Sequence, residues 1–233
     1  MNINPPHVLF NIPSYGGIKL DFLKGFLSFT DFALDNGIAY DIEFTRGCSA
    51  IALARSLLFS QAMGNPDWTH MMWIDDDIGF KPEDIMMLIA HDKDFICGNY
   101  STKQKENNIN KRTYVSIQNG YEDKIIKQIK YAPTGFMLLT RKLCEDMVSN
   151  YSNLKFQWGG KSVLNNCPLF DVFGTMLYKD PYQPLDPSFS TPNYLTEDYA
   201  FCRRALDIGY KIYLSKKVNV KHIGDYAYEV NEI

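Results

Sequence analysis

Residues 68–77 read WTHMMWIDDD, seven mostly apolar residues followed at once by Asp75, Asp76 and Asp77. An apolar run of this length, Trp68 to Ile74, predicts a buried strand. Three carboxylates at its carboxyl end repel one another unless a cation lies close by. A solvated acidic turn leading into the next helix would explain the triplet more simply. The long apolar strand in front of it favours a functional role.

The pattern extends outward on both sides of this stretch. Upstream, His7 to Ile12 (HVLFNI) reads as a buried strand stopped by Pro13 and a Tyr-Gly-Gly turn. Ile18 to Asn36 reads as a helix ended by Gly37, with Leu20, Leu23, Leu27 and Leu34 near one face. Tyr40 to Thr45 alternates like a strand, and Ser49 to Met63 is a second helix closed by Gly64. Downstream, Pro82 at a helix N1 position, followed by Glu83 and Asp84, opens a third helix through Ala90. Asp94 to Tyr100 is another strand. The order β-α-β-α-β-α-β predicts an α/β fold with right-handed crossovers and a mostly parallel sheet flanked by helices. Ligands of such sheets bind at the carboxyl ends of the strands, where the Pro13–Gly17 turn and the aspartate triplet both fall.

The second half has a different character. Lys111 to Gln118 and Lys124 to Tyr131 suggest a hairpin around Asn119-Gly120. Gly135 to Thr140 is an apolar strand and Arg141 to Asn150 a helix. From Tyr151 to Leu195 the chain is irregular and aromatic, with four prolines between Pro181 and Pro192. Thr196, as N-cap, opens a helix to Ile208 with Gly209 beyond it, and Lys211 to Val220 is a last strand before His222-Ile223-Gly224. With no repeat or linker, residues 1–233 read as one domain. A nucleotide-type half spans about 7–105, and a smaller, more variable half of hairpin and irregular chain spans about 106–224.

Composition narrows the function. The 233 residues are 45% hydrophobic and 22% charged, which excludes a disordered or collagen-like chain. Lys and Arg number 24 against 27 Asp and Glu, a net charge of −3, so no basic excess serves nucleic acid. No apolar run approaches the roughly 20 residues of a membrane span, and the start has no signal-peptide pattern. Five widely spaced cysteines without a CxxC suggest free thiols in a reducing compartment, hence a cytoplasmic protein.

Each candidate element has an ordinary explanation when taken alone. Glu197-Asp198 in a helix's first turn is what the helix dipole favours. A lone His222 is usually a satisfied surface or core residue, although imidazole also binds Mn²⁺. It is the ordered set that resembles the GT-A fold of nucleotide-sugar-dependent glycosyltransferases, of a family 2-like kind. The set comprises a strand-Pro-x-Tyr turn, an aspartate triplet after the third strand, Gly-Phe-Met-Leu, Thr-Glu-Asp before a helix, and a late His-x-Gly. It spans roughly residues 7 to 224.

The resemblance implies a fold, a donor and a cation. The fold is a single GT-A (Rossmann-like) domain. Pro13, Ser14 and Tyr15 would lie along the nucleotide, with Asp75 and Asp76 toward the ribose and Gly135 along the donor sugar. Arg55, on the second helix, would face the nucleotide. Asp77, with Asp75 and His222, would hold Mn²⁺ or Mg²⁺ bridging the diphosphate of a nucleoside-diphosphate sugar. Asp198 would be the general base of an inverting transfer and Glu197 its neighbour at a glycan, protein or lipid-linked acceptor. Trp158 and Asp171, among Phe170, Phe173, Tyr178 and Tyr182, are candidates for the acceptor wall, with core packing as the alternative for the two phenylalanines. A processive synthase is disfavoured because the QxxRW tryptophan is missing. A retaining GT-A enzyme, a nucleotidyl or phosphoryl transferase, and a non-catalytic nucleotide-sugar-binding module are the competing readings. The phosphoryl reading lacks a GxxxxGK[ST] loop.

Overall fold

The third strand is where the sheet is organised, because its side chains are apolar on both faces. In the computed structural model, which describes residues 5–103, 115–179, 191–224 and 227–228, Met71, Met72, Trp73 and Ile74 are all buried. In chain order the elements are β1 (His7–Ser14), α1 (Leu20–Asn36), β2 (Ala39–Arg46), α2 (Ile51–Met63), β3 (His70–Ile74), β4 (Ile78–Gly79), α3 (Pro82–Ala90) and β5 (Phe95–Asn99). There follow β6 (Ser116–Glu122), β7 (Ile126–Tyr131), β8 (Phe136–Thr140), α4 (Arg141–Asn150), β9 (Val163–Leu164), β10 (Cys167–Pro168), β11 (Met176–Tyr178) and β12 (Asn193–Leu195). The chain closes with α5 (Glu197–Asp207), β13 (Ile212–Asn219), β14 (Lys221–Ile223) and β15 (Ala227–Tyr228).

Eight strands form the central sheet in the order β2-β1-β3-β8-β5-β13-β7-β6. The pairs β2–β1, β1–β3 and β5–β13 are parallel, as the β-α-β rhythm predicts. Strand β8 enters antiparallel between β3 and β5, with Ile74 opposite Phe136. Its amino end therefore meets the carboxyl end of β3, which brings Gly135 to the aspartate triplet. Away from the sheet, β14 pairs with β4, setting His222 opposite Ile78.

Two apolar cores cover the two faces, as a sheet flanked by helices on both sides requires. On one side Leu58 and Phe59 of α2, Leu143 and Met147 of α4 and Phe201 of α5 pack with Trp73 and Phe173. The Trp73 and Phe173 rings meet edge-on at 4.9 Å, and Phe173 stacks on Phe201 at 4.4 Å. On the other side Phe22 and Phe29 of α1 and Ile85 and Leu88 of α3 close over Phe10 and Phe136.

Helix α1 carries two apolar stripes, and only one is buried. Phe22, Gly25, Phe29 and Ala33 face the sheet, whereas Leu20, Leu23, Leu27 and Leu34 face solvent. Phenylalanine rings bury more area and pair with Phe10 at 4.9–5.3 Å, so they win the inner face. Gly25 sharpens this choice, since a Cβ there would lie 2.6 Å from the Phe80 carbonyl oxygen.

The hairpin turn also differs from expectation. Asn119-Gly120 lies within β6, and the chain reverses at Asp123–Ile125. Asp123 builds this turn, accepting from the Ile125 and Ile126 amides at 2.7 Å and from the Tyr121 hydroxyl at 2.7 Å. Those bonds hold its carboxyl pKa down at about 2. The first part of the expected strand, Lys111 to Tyr114, lies outside the described residues. The segment read as irregular contains two short antiparallel pairs, β9–β10 and β11–β12.

Candidate functional site

The strand ends gather the predicted residues at one edge of the sheet. The Asp75 amide donates to the Gly135 carbonyl at 3.1 Å, tying the end of β3 to the start of β8. Gly135 is confined from the other side as well. Its amide donates to the buried Tyr100 hydroxyl at 2.9 Å, and a Cβ there would lie 2.3 Å from that oxygen and 3.0 Å from Asp75 Oδ2. No side chain larger than hydrogen fits this position.

Arg55, on α2, is almost fully buried and reaches both ends of the site. Its Nη2 donates to Asp75 Oδ1 at 3.1 Å and Oδ2 at 3.2 Å, and its Nε stands 3.7 Å from Glu197 Oε1. Burial opposes the guanidinium charge, but Asp75 and Glu197 more than compensate, and its pKa is raised. Burial pushes the Asp75 carboxyl up against the pull of Arg55. Among the described residues Nε and Nη1 of Arg55 are buried without a hydrogen-bond partner, Nε on the Glu197 side.

Asp77 and His222 come from far apart in the chain and meet across β4 and β14. His222 Nδ1 is 2.9 Å from the Ser101 carbonyl oxygen. A carbonyl only accepts, so Nδ1 donates to it, and Nε2 on the other side of the ring lies 3.5 Å from Asp77 Oδ1. Asp77 Oδ1 is buried without a hydrogen-bond partner, while Oδ2 contacts Lys103 Nζ. Burial alone would raise the Asp77 carboxyl, but His222 and Lys103 bring it below the usual range. The Tyr100 ring stands edge-on to the imidazole at 5.3 Å. Asp75 is turned away from this pair, toward Arg55. Among the described residues no group of three or more His, Cys, Asp or Glu side chains is gathered to hold a metal ion. What the chain offers is a two-donor pair, an orphaned carboxylate oxygen beside an oriented imidazole, which suits a divalent ion whose other ligands come with the substrate.

Beside the triplet is a pocket of about 190 Å³, lined by Pro13, Ser14, Tyr15, Ile51, Asp76 and Asp77 among others. Tyr15 is 67% exposed there, an aromatic ring left without a protein cover. Burial raises the Asp76 carboxyl, with Ser14 close by pulling the other way. The Asp76 carbonyl accepts from the Lys19 amide at 2.9 Å, so the triplet also anchors the loop after β1.

At the start of α5, Thr196 is the N-cap residue, but its side chain makes no cap bond. The hydroxyl donates instead to Asp198 Oδ1, which also accepts from the Tyr199 amide at 2.8 Å. Glu197 is half-buried toward Arg55, and burial raises its carboxyl. The acceptor candidates separate into different roles. Phe170 and Phe173 are core residues. Asp171 accepts from the Ser56 hydroxyl at 3.1 Å, and Arg204 Nη1 donates to the carbonyls of Val172 and Gly174, so the 171–174 turn is internally tied. Trp158 is 54% exposed on the Trp158–Lys161 turn. Tyr178 lies under the Arg203 guanidinium at 5.0 Å, and Tyr182 lies outside the described residues. Tyr100, Ser101 and Lys103 were not among the residues predicted from sequence. The signal for them was position, since they follow β5 at its carboxyl end.

The fold and site together define a Rossmann-like α/β protein with an acidic cluster at the carboxyl edge of its sheet. No protein-family model matches the chain, and no curated protein does. Among solved structures, A197 from STIV has this fold, with a TM-score of 0.54 at 15% identity over 97% of this chain and 95% of its own. A glycosyltransferase involved in the glycosylation of the major capsid of PBCV-1 aligns with 62% of this chain and 65% of its own, at a TM-score of 0.33 and 15% identity. The inositol-1-phosphate CTP transferase from T. maritima aligns over 88% and 84%, at 0.40 and 12%. The last two superpose too loosely to define a shared fold. Among the described residues no helix is long and apolar enough to cross a membrane.

Proposed function

We propose that the protein is a GT-A-type glycosyltransferase that moves a sugar from a nucleoside-diphosphate sugar to an acceptor hydroxyl. The observation that carries this reading is the approach of Asp77 Oδ1 and His222 Nε2 to 3.5 Å, with His222 Nδ1 committed to the Ser101 carbonyl. A carboxylate oxygen and an imidazole nitrogen brought this close from distant parts of the chain form a donor pair of the kind that suits Mn²⁺ or Mg²⁺. When bound, the ion would offset the charge that develops on the leaving diphosphate.

The chain's own groups supply the rest. Tyr15 offers its exposed ring to the base, and Ser14 with Asp76 lines the adjoining pocket. Arg55 holds Asp75 toward the ribose and links it to Glu197. Gly135, through its carbonyl, holds the Asp75 backbone beside the place proposed for the donor sugar. Asp198 takes the proton from the acceptor hydroxyl as that oxygen bonds to the anomeric carbon and the bond to the diphosphate breaks. A base on the face opposite the leaving group makes the transfer inverting. Glu197, drawn toward Arg55, positions the acceptor beside it. The nucleotide-binding and acceptor halves then act as one domain around a shared edge.

Incubation with a panel of nucleotide sugars and Mn²⁺ tests the reading. Metal-dependent release of a nucleoside diphosphate supports it. Release of pyrophosphate from a nucleoside triphosphate and a sugar phosphate would instead indicate nucleotidyl transfer. Binding without turnover would indicate a carrier module.

A further inference from the structure

The outer face of α1 is apolar where a solvent face should be polar. Leu20, Leu23, Leu27 and Leu34 are 61%, 42%, 54% and 83% exposed. At 3.6 residues per turn they fall within about 60° of one another. The buried Phe22, Gly25, Phe29 and Ala33 occupy the opposite side. A leucine stripe over about four turns of helix is not the scattered exposure that ordinary surfaces show.

We propose that this stripe is the contact surface for a second copy of the chain, packed antiparallel about a two-fold axis at Leu27. The sequence of the face is self-complementary in that arrangement. Leu20 and Leu34 are equidistant from Leu27, so each meets the other across the axis while Leu27 meets itself. Lys24 and Asp31 flank the stripe on one side, at nearly equal distances before and after Leu27. Antiparallel packing brings like flanks together, so each Lys24 faces the Asp31 of the other copy, twice by symmetry. Neither residue has an ion pair within its own chain among the described residues, which leaves both charges for a partner. A parallel pairing brings unlike flanks together and leaves Lys24 with no Asp31 opposite it. The proposal is independent of the chemistry assigned to the sheet edge, because α1 presents this face away from the core.

Sedimentation of the full chain over a concentration series tests it. The wild type is expected to move from monomer to dimer, and Leu27→Asp to remain monomeric with an unchanged circular-dichroism spectrum. Lys24→Asp and Asp31→Lys should each weaken the dimer about tenfold by replacing attraction with repulsion at both pairs. The double variant, which exchanges the two charges, should recover the wild-type affinity. A wild type that stays monomeric throughout overturns the proposal. So does a dimer indifferent to Leu27→Asp, or a double variant no stronger than the single ones.

Discussion

Asp198 keeps Oδ2 clear of hydrogen bonds among the described residues, while Oδ1 serves Thr196 and the Tyr199 amide. One carboxylate can thus close the helix end and still accept a proton. Asp198→Asn retains the oxygen that caps and removes the base, so kcat should fall about 10²-fold or more with donor binding spared. Glu197→Gln should cost less, and the comparison of kcat in the two variants checks the assignment. A larger loss in Glu197→Gln would transfer the role of base to Glu197, whose raised pKa already suits one. A different residue sets the acid response. Burial lowers the His70 imidazole below its usual 6.5, with Asp92 pulling the other way. The unfolded chain therefore binds that proton first. The stability His70 contributes is complete above pH 6.5 and is lost as pH falls through the unfolded pKa toward the depressed folded one. Thermal melts from pH 8 to 5 should show the wild type losing stability relative to His70→Gln over that window.

At the scale of elements, the β3–β8 junction closes on Gly135 from two sides. Gly135→Ala would drive a methyl group into Tyr100 Oη and crowd Asp75. Overpacking of this kind costs about 1–3 kcal/mol, and it should also break the 2.9 Å bond from the Gly135 amide to Tyr100. A lowered melting temperature together with lost turnover is the expected result. The loop after β1 carries Tyr15 on its surface. Tyr15→Ala should leave the melting temperature alone and raise the donor KM more than it lowers kcat, because base contacts serve ground and transition states equally. Titration with a nucleoside diphosphate checks this directly.

Over the whole molecule, the site exists because β14 returns along β4 and delivers His222 to the end of β3. Neither group is near the other in sequence, so their cooperation depends on the complete fold. Asp77→Asn should abolish metal-dependent turnover while melting as the wild type does. His222→Ala should raise the Mn²⁺ concentration needed for half-maximal rate. Full activity of Asp77→Asn at limiting Mn²⁺ would remove the cation from this position.

By itself the sequence determined the α/β class, the boundaries of α3 to the residue, the other first-half elements except the short β4 to within two, and the edge of the sheet at which the aspartate triplet falls. Those features follow from local causes: apolar period, Pro82 at a helix start, glycine at helix ends. The sequence could not choose between the two stripes of α1, since both have helical spacing. The choice fell to ring packing against Phe10 and to the space Gly25 leaves for Phe80. Nor could it see that Asp123 would set the hairpin turn in place of Asn119-Gly120, because a side chain closing its own turn competes on equal terms with a favourable turn pair. The partners of Arg55, the 3.5 Å approach of His222 to Asp77, and the placing of Lys103 on that aspartate were decided by tertiary structure alone. Each joins residues from different strands or helices, and only the strand order of the sheet brings those elements side by side.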